Sequence, residues 1–197
     1  DDAVADVGVA PPTQRAIFAF GSVNGGARTG ISNLVNSSGV VQSDVSAVGT
    51  ATEAKMAATY GGDKAIFAFG QTASANVNTK NLVNNSGVIA SDGSGVGTAR
   101  ALLGGTEYGG DKALAGFGNA SANVSLTNKI SNSGVVASDT TGVGTARAYL
   151  AAVRYGVGKG IFGFGNAAGV GITGLTNLVS DTGTVATDTS AVGTACD

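Results

Sequence analysis

The chain contains no histidine and no tryptophan, a single cysteine, and only 12% charged residues among 197. Without histidine, nucleophilic catalysis by a Ser–His or Cys–His pair is excluded, because no imidazole can take the nucleophile's proton. One thiol, Cys196, rules out an internal disulfide framework and a zinc cluster of Cys and His. No run of Lys or Arg could track a phosphate backbone. With a formal net charge of -2 and a pI near 4.9, nucleic acid is not an expected partner. No apolar stretch approaches the ~18 residues of a membrane span, so a soluble chain without membrane insertion is expected. The first residue is Asp1 rather than Met, and no secretory signal pattern follows it, as expected of a processed product, an excised segment or an N-terminus given only in part.

What is abundant is glycine, 33 residues, and repetition. The phrase "QRAIFAFG" at 14–21 returns as "DKAIFAFG" at 63–70, "DKALAGFG" at 111–118 and "GKGIFGFG" at 158–165. Its closing phenylalanines, Phe20, Phe69, Phe117 and Phe164, are 49, 48 and 47 residues apart. Each phrase is followed by Asn33, Asn81, Asn128 or Asn177, then by Asp44, Asp92, Asp139 or Asp188. A "VGTA" motif closes the unit, with its glycine at 49, 97, 144 and 193.

The unit reads as four short strands, in the third copy about 100–107, 112–117, 125–131 and 134–138. Gly109-Gly110-Asp111 is a hairpin signal, since these residues accept positive φ. "AIFAF" is apolar on both faces, as a strand covered on both sides must be. The segment "TARAYLAAVRY" at 145–155 would suit a helix alone, but its equivalents at 50–60 and 98–108 do not, so a strand is expected there too. Four strands per unit of roughly 48 residues with Gly-rich turns predict an all-β, four-bladed β-propeller. It would form a single domain over 1–197, with blades near 1–49, 50–97, 98–144 and 145–197. A whole number of repeats without an atypical terminal unit favours a closed ring over an open solenoid, of four blades or, as the alternative, of a larger number completed by a partner chain or by further sequence. Residues 3–10 would then supply the first strand of the first blade.

The recurring polar residues have two readings each. Asp44, Asp92, Asp139 and Asp188 either accept backbone N–H bonds in local turns or form a carboxylate ring for a hard cation such as Ca²⁺. Asn33, Asn81, Asn128 and Asn177 either satisfy backbone at a strand entrance or recognise sugar. Tyr60, Tyr108 and Tyr155 share one slot, held by Pro11 in the first unit, and either pack under the next hairpin or present a glycan or protein contact. Four equivalent carboxylates do not resemble an acid and base held in different environments, so no enzyme and no cofactor are expected. "GGDK" lacks the spacing of a phosphate loop. Cys196 sits where earlier units have Arg, as a surface residue or an intermolecular link. Individuality is concentrated at 22–32, 71–80, 119–127 and 166–176, which directs attention to one face.

"GTARALLGGTEYGGDKALAGFG" at 97–118 and "GTAR" at 144–147 resemble the kelch family of β-propellers, whose apolar strand ends in glycine and follows an arginine. One glycine stands where that family has a pair, and its late tryptophan is missing. The whole array from 15 to 197, of the form "YGGDKAIFxFG…NLVxNxGVxxxD…GVGTAR", is similar to repeat arrays in virion proteins of tailed bacteriophages. The resemblance implies a structural tail or fibre component that contacts other virion proteins, itself included, in a virion or extracellular setting. A lectin-like propeller with one shallow glycan site per blade is the rival expectation.

Overall fold

The computed structural model describes residues 14–196, with side-chain surroundings from residue 16 onward. The expected first strand at 3–10 and Pro11 lie outside the described residues. Among the described residues every regular element is a strand. In chain order they are β1 (Gln14–Ser22), β2 (Arg28–Asn36), β3 (Met56–Tyr60), β4 (Lys64–Ala68), β5 (Lys80–Val83), β6 (Gly104–Tyr108) and β7 (Lys112–Gly116). Then follow β8 (Thr127–Ile130), β9 (Arg147–Ala148), β10 (Ala151–Tyr155), β11 (Lys159–Gly163), β12 (Asn166–Ala167), β13 (Gly171–Ile172) and β14 (Thr176–Val179). The segment at 145–155 is β9 and β10, so its place in the repeat outweighs its helical composition.

Each repeat builds one antiparallel sheet: β1-β2, β3-β4-β5, β6-β7-β8 and β10-β11-β14. The Gly109-Gly110-Asp111 turn joins β6 to β7, as its composition predicts. The fourth strand of each unit is reduced to two isolated bridges, Val83↔Ile89 and Lys80↔Gly93 in the second unit and the same pair of positions in the others. Between them an asparagine side chain substitutes for ladder bonds: Asn81 Nδ2 donates to the Ala90 carbonyl at 3.2 Å.

The apolar phrase ends in a kink rather than a turn. Phe20, Phe69, Phe117 and Phe164 have φ of 60–64°, and the glycine after each is also positive. The chain thereby leaves one sheet and enters a second ladder, as in Glu53↔Gln71↔Asn76, Ala101↔Asn119↔Asn123 and the β9-β12-β13 sheet. A bulky L-residue in this region costs roughly 1–2 kcal/mol, so the surrounding packing must hold it.

The sheets stack face to face in sequence order. Met56, Tyr60, Ile66 and Ala68 of the second unit share a cluster with Leu103, Ala113, Ala115 and Ile130 of the third. On the other side of the third unit, Tyr108, Leu114 and Phe117 pack with Leu150, Phe162 and Val179 of the fourth. β6 is sandwiched closely because Gly104 and Gly105 keep both its faces flush. A Cβ on Gly105 would stand 2.6 Å from the Ala57 carbonyl oxygen, and one on Gly104 3.0 Å from Phe162. Backbone bonds also cross the joints: Leu102 N–H donates to Ala54 O and Tyr149 N–H to Leu102 O, both at 3.0 Å.

Closure of four units into a ring is not seen among the described residues. No hydrogen bond there joins the fourth unit to the first. Phe67 and Phe162 are 7% and 0% exposed, each pressed on the preceding unit, whereas Phe18 in the same slot is 63% exposed. Tyr60 and Tyr108 are 4% and 5% exposed under the following unit, whereas Tyr155 is 40% exposed. Among the described residues the stack therefore has two uncovered end faces. Repetition in a sequence reports that units are alike; it does not report the angle between neighbours, which decides how many complete a circle.

Candidate functional site

The recurring polar residues converge at the joints between units. Asn81, on β5, donates from Nδ2 to Asp92 Oδ1 at 2.8 Å. Asp92 Oδ2 in turn accepts the N–H and hydroxyl of Thr50, at 2.9 and 2.6 Å, from the "VGTA" that closes the first unit. Asn128, Asp139 and Thr98 repeat the arrangement, as do Asn177, Asp188 and Thr145. Asn33 bonds Asp44 in the same way, at 2.8 Å. The glycine before each of these threonines is obligatory: Gly49 has φ of +79° and a Cβ there would run into the Asp92 carboxylate.

A cation completes each joint. Arg100 is fully buried; its Nε donates to Phe117 O at 2.9 Å, Nη1 to Thr98 O at 3.1 Å and Nη2 to Asn128 Oδ1 at 2.6 Å. Its guanidinium lies 4.3 Å from the Phe69 ring centre and 3.7 Å from Asp139. Arg147 does the same with Phe164 O, Thr145 O, Asn177 and the Phe117 ring. Burial pushes the Arg100 guanidinium down to about 10, with Asp139 opposing.

The second unit reaches this end by another route. Thr52 occupies the arginine slot, and Lys55, three residues on, sends its Nζ to Asn81 Oδ1 at 3.3 Å and over the Phe20 ring at 4.5 Å. Burial pushes its ammonium down to about 8, against the pull of Asp92. Below that pH the folded chain carries a poorly solvated charge held by one long hydrogen bond. Installing the pattern of the later units, Thr52→Arg with Lys55→Leu, should raise the unfolding free energy by about 1 kcal/mol, read from the thermal midpoint. Lys55→Leu alone should lower it, since Asn81 and Asp92 then lose their cation.

Asp92, Asp139 and Asp188 are thus not local turn acceptors, as one reading of the sequence has it, but ties to residues 41–43 positions away; the Asp44 carboxylate accepts from Asn33, 11 positions away. Nor do they assemble for a cation: each of Asp92, Asp139 and Asp188 is engaged in its own joint. No group of three or more Cys, Asp or Glu fit to hold a metal occurs among the described residues. For Asp92, burial would raise the pKa, but the Thr50 hydroxyl, the Asn81 amide and the Thr50 N–H together hold it below the usual carboxylate range. Asp139 and Asp188 are lowered by the same balance. A carboxyl whose folded pKa is depressed stabilises the fold above its unfolded value and loses that contribution as pH falls through the folded one. Thermal stability should therefore be flat near neutrality and fall below about pH 4. Asp139→Asn should flatten the acid limb.

Asn81, Asn128 and Asn177 are fully buried and Tyr60 and Tyr108 nearly so, so none of these five can receive a glycan. Of the remaining candidates Tyr155 lies on an end face, and Asn33 and Asp44 line an open hollow on the first unit. A mainly apolar recess of about 450 Å³ lies between the first two units, bounded by Ile17, Leu34, Ala58 and Phe67. Cys196 is exposed, in the arginine slot after Phe164, and its carbonyl accepts the Gly165 N–H at 3.0 Å.

Two contributors escape the sequence reading. Asn76 and Asn123, inside the variable segments, donate across joints to Asn119 O and Ala120 O, and to Asn166 O, at 2.9–3.0 Å. Their 47-residue spacing is the one available signal. Arg28 holds the same slot in the first unit and pairs with Glu53 at 2.6 Å. No protein-family model and no curated protein matches the chain.

Proposed function

We propose that this chain is a non-enzymatic structural module whose work is protein–protein contact, serving as a tail or fibre component of a phage virion or a similar extracellular assembly. The observation that carries the reading is the use made of the polar side chains. The recurring Asn, Asp, Thr and Arg are consumed in joining one unit to the next, while large apolar side chains such as Phe18, Val153 and Leu178 stand exposed at the two ends. A module that invests its chemistry in its own joints and leaves apolar faces outside is suited to assembly rather than turnover. The finer reading of the fold is a kelch-like β-propeller in which each unit serves as a blade, its ring closing where the fourth unit's free face meets a first-unit face. Antibody labelling of purified native particles under the electron microscope tests the assignment. Regular decoration of tail or fibre is expected, and particles that lack the chain overturn it. A glycan array carries the rival arm: strong, selective binding would replace assembly with sugar recognition.

A further inference from the structure

We propose that the free face of the fourth unit seats on the free face of the first unit of a second copy, head to tail. This deepens the reading above by naming a partner, and it rests on three correspondences between bare ends and internal joints.

The first is a side chain over a glycine. Inside the chain, Leu34 covers Gly87, Leu82 and Tyr60 cover Gly134, and Tyr108 covers Gly183, each across a joint. At the fourth unit the covering pair, Tyr155 and Leu178, is present and exposed. At the first unit the receiving glycine, Gly39, has open space around it. One end holds the cover and the other the seat.

The second is an exchange of polar for apolar. Where Asn76 and Asn123 reach the carbonyls at 119–120 and 166, the fourth unit has Ile172, and the receiving slot of the first unit ends in Val23. Both are exposed. An internal hydrogen bond is replaced at the ends by a matched apolar pair, which a free surface does not require and a buried joint does.

The third is the phenylalanine. Phe67 meets the Phe20 ring of the preceding unit edge-on at 5.4 Å, and Phe162 meets Phe117 at 5.2 Å. Phe18, their equivalent, stands beside an open hollow of about 250 Å³ that also involves Val23 and Ile31. A joint between two different faces leaves one of each unused, so it propagates into a ring or a filament.

Sedimentation velocity of the full chain, with reductant present to silence Cys196, tests this across a concentration series. Wild type should exceed monomer mass and grow with concentration. Phe18→Asp and Val153→Asp alter exposed positions, so both should match the wild-type melting curve taken at dilutions where wild type is itself monomeric, and both should stay monomeric throughout, because every joint needs both faces. Mixed in equal amounts they should form a dimer and nothing larger, one intact face of each being left to pair. A wild type that stays monomeric at every concentration overturns the proposal. So does a Val153→Asp variant that still dimerises while Phe18→Asp does not, since that marks a symmetric contact. Either result leaves the particle-labelling outcome untouched, so self-pairing can fail while the assembly role stands.

Discussion

Arg100→Met should lower the unfolding free energy by about 3 kcal/mol, read as a reduced urea midpoint at unchanged slope. Three acceptors depend on this guanidinium: the carbonyls of Phe117 and Thr98 and the Asn128 side-chain oxygen. Methionine fills much of the volume and restores none of the bonds. Each buried acceptor left without a donor costs on the order of 1–3 kcal/mol. Asp139 softens the loss, because a quarter of its side chain is exposed and water can solvate it. Arg100→Lys should fall between, since an ammonium is a point charge that cannot span three acceptors arranged around a plane. The second unit contains that compromise already, in Lys55.

The strands are legible where short apolar runs and turn residues coincide. Gly109-Gly110-Asp111 between two apolar runs located β6 and β7 to within a few residues, and the recurrence of Phe20, Phe69, Phe117 and Phe164 located the units. Readability ended where a residue's partner lies in another unit. Asp139 looks like a turn residue because nothing nearby in sequence shows that its acceptors face Thr98, 41 positions earlier. Thr52 looks like a lost arginine until Lys55 is seen to fill the gap from a neighbouring slot. Packing was one reading of Tyr60 and Tyr108, but nothing in the sequence says that each covers a glycine of the following unit, Gly134 and Gly183, or that Tyr155 is the same residue with no described unit above it. Identical text thus yields a core residue twice and a surface residue once. Four units follow from the number of copies, but closure does not, because the number of copies leaves the angle between neighbours unspecified; the described residues show the stacked sheets and no closed ring.

Phe117→Ala should lower stability by about 3–4 kcal/mol, the scale of emptying a buried aromatic site. The ring is fully buried, packs edge-on against Phe162 at 5.2 Å, and lies 4.3 Å beneath the Arg147 guanidinium. Its removal therefore opens a cavity and strips the cover from a buried cation at once. Phe18→Ala deletes the same ring type from a bare face and should change monomer stability by less than about 0.5 kcal/mol. The decisive comparison is Phe117→Gly. Glycine normally destabilises a strand relative to alanine, but at φ of 62° alanine keeps the backbone strain that the ring's contacts had been holding, while glycine releases it. Phe117→Gly should accordingly be more stable than Phe117→Ala by about 1 kcal/mol. The reverse order, measured by thermal or urea unfolding, would mean that the left-handed kink stores no strain and that the aromatic ring is not what holds each apolar strand in its turn toward the second ladder.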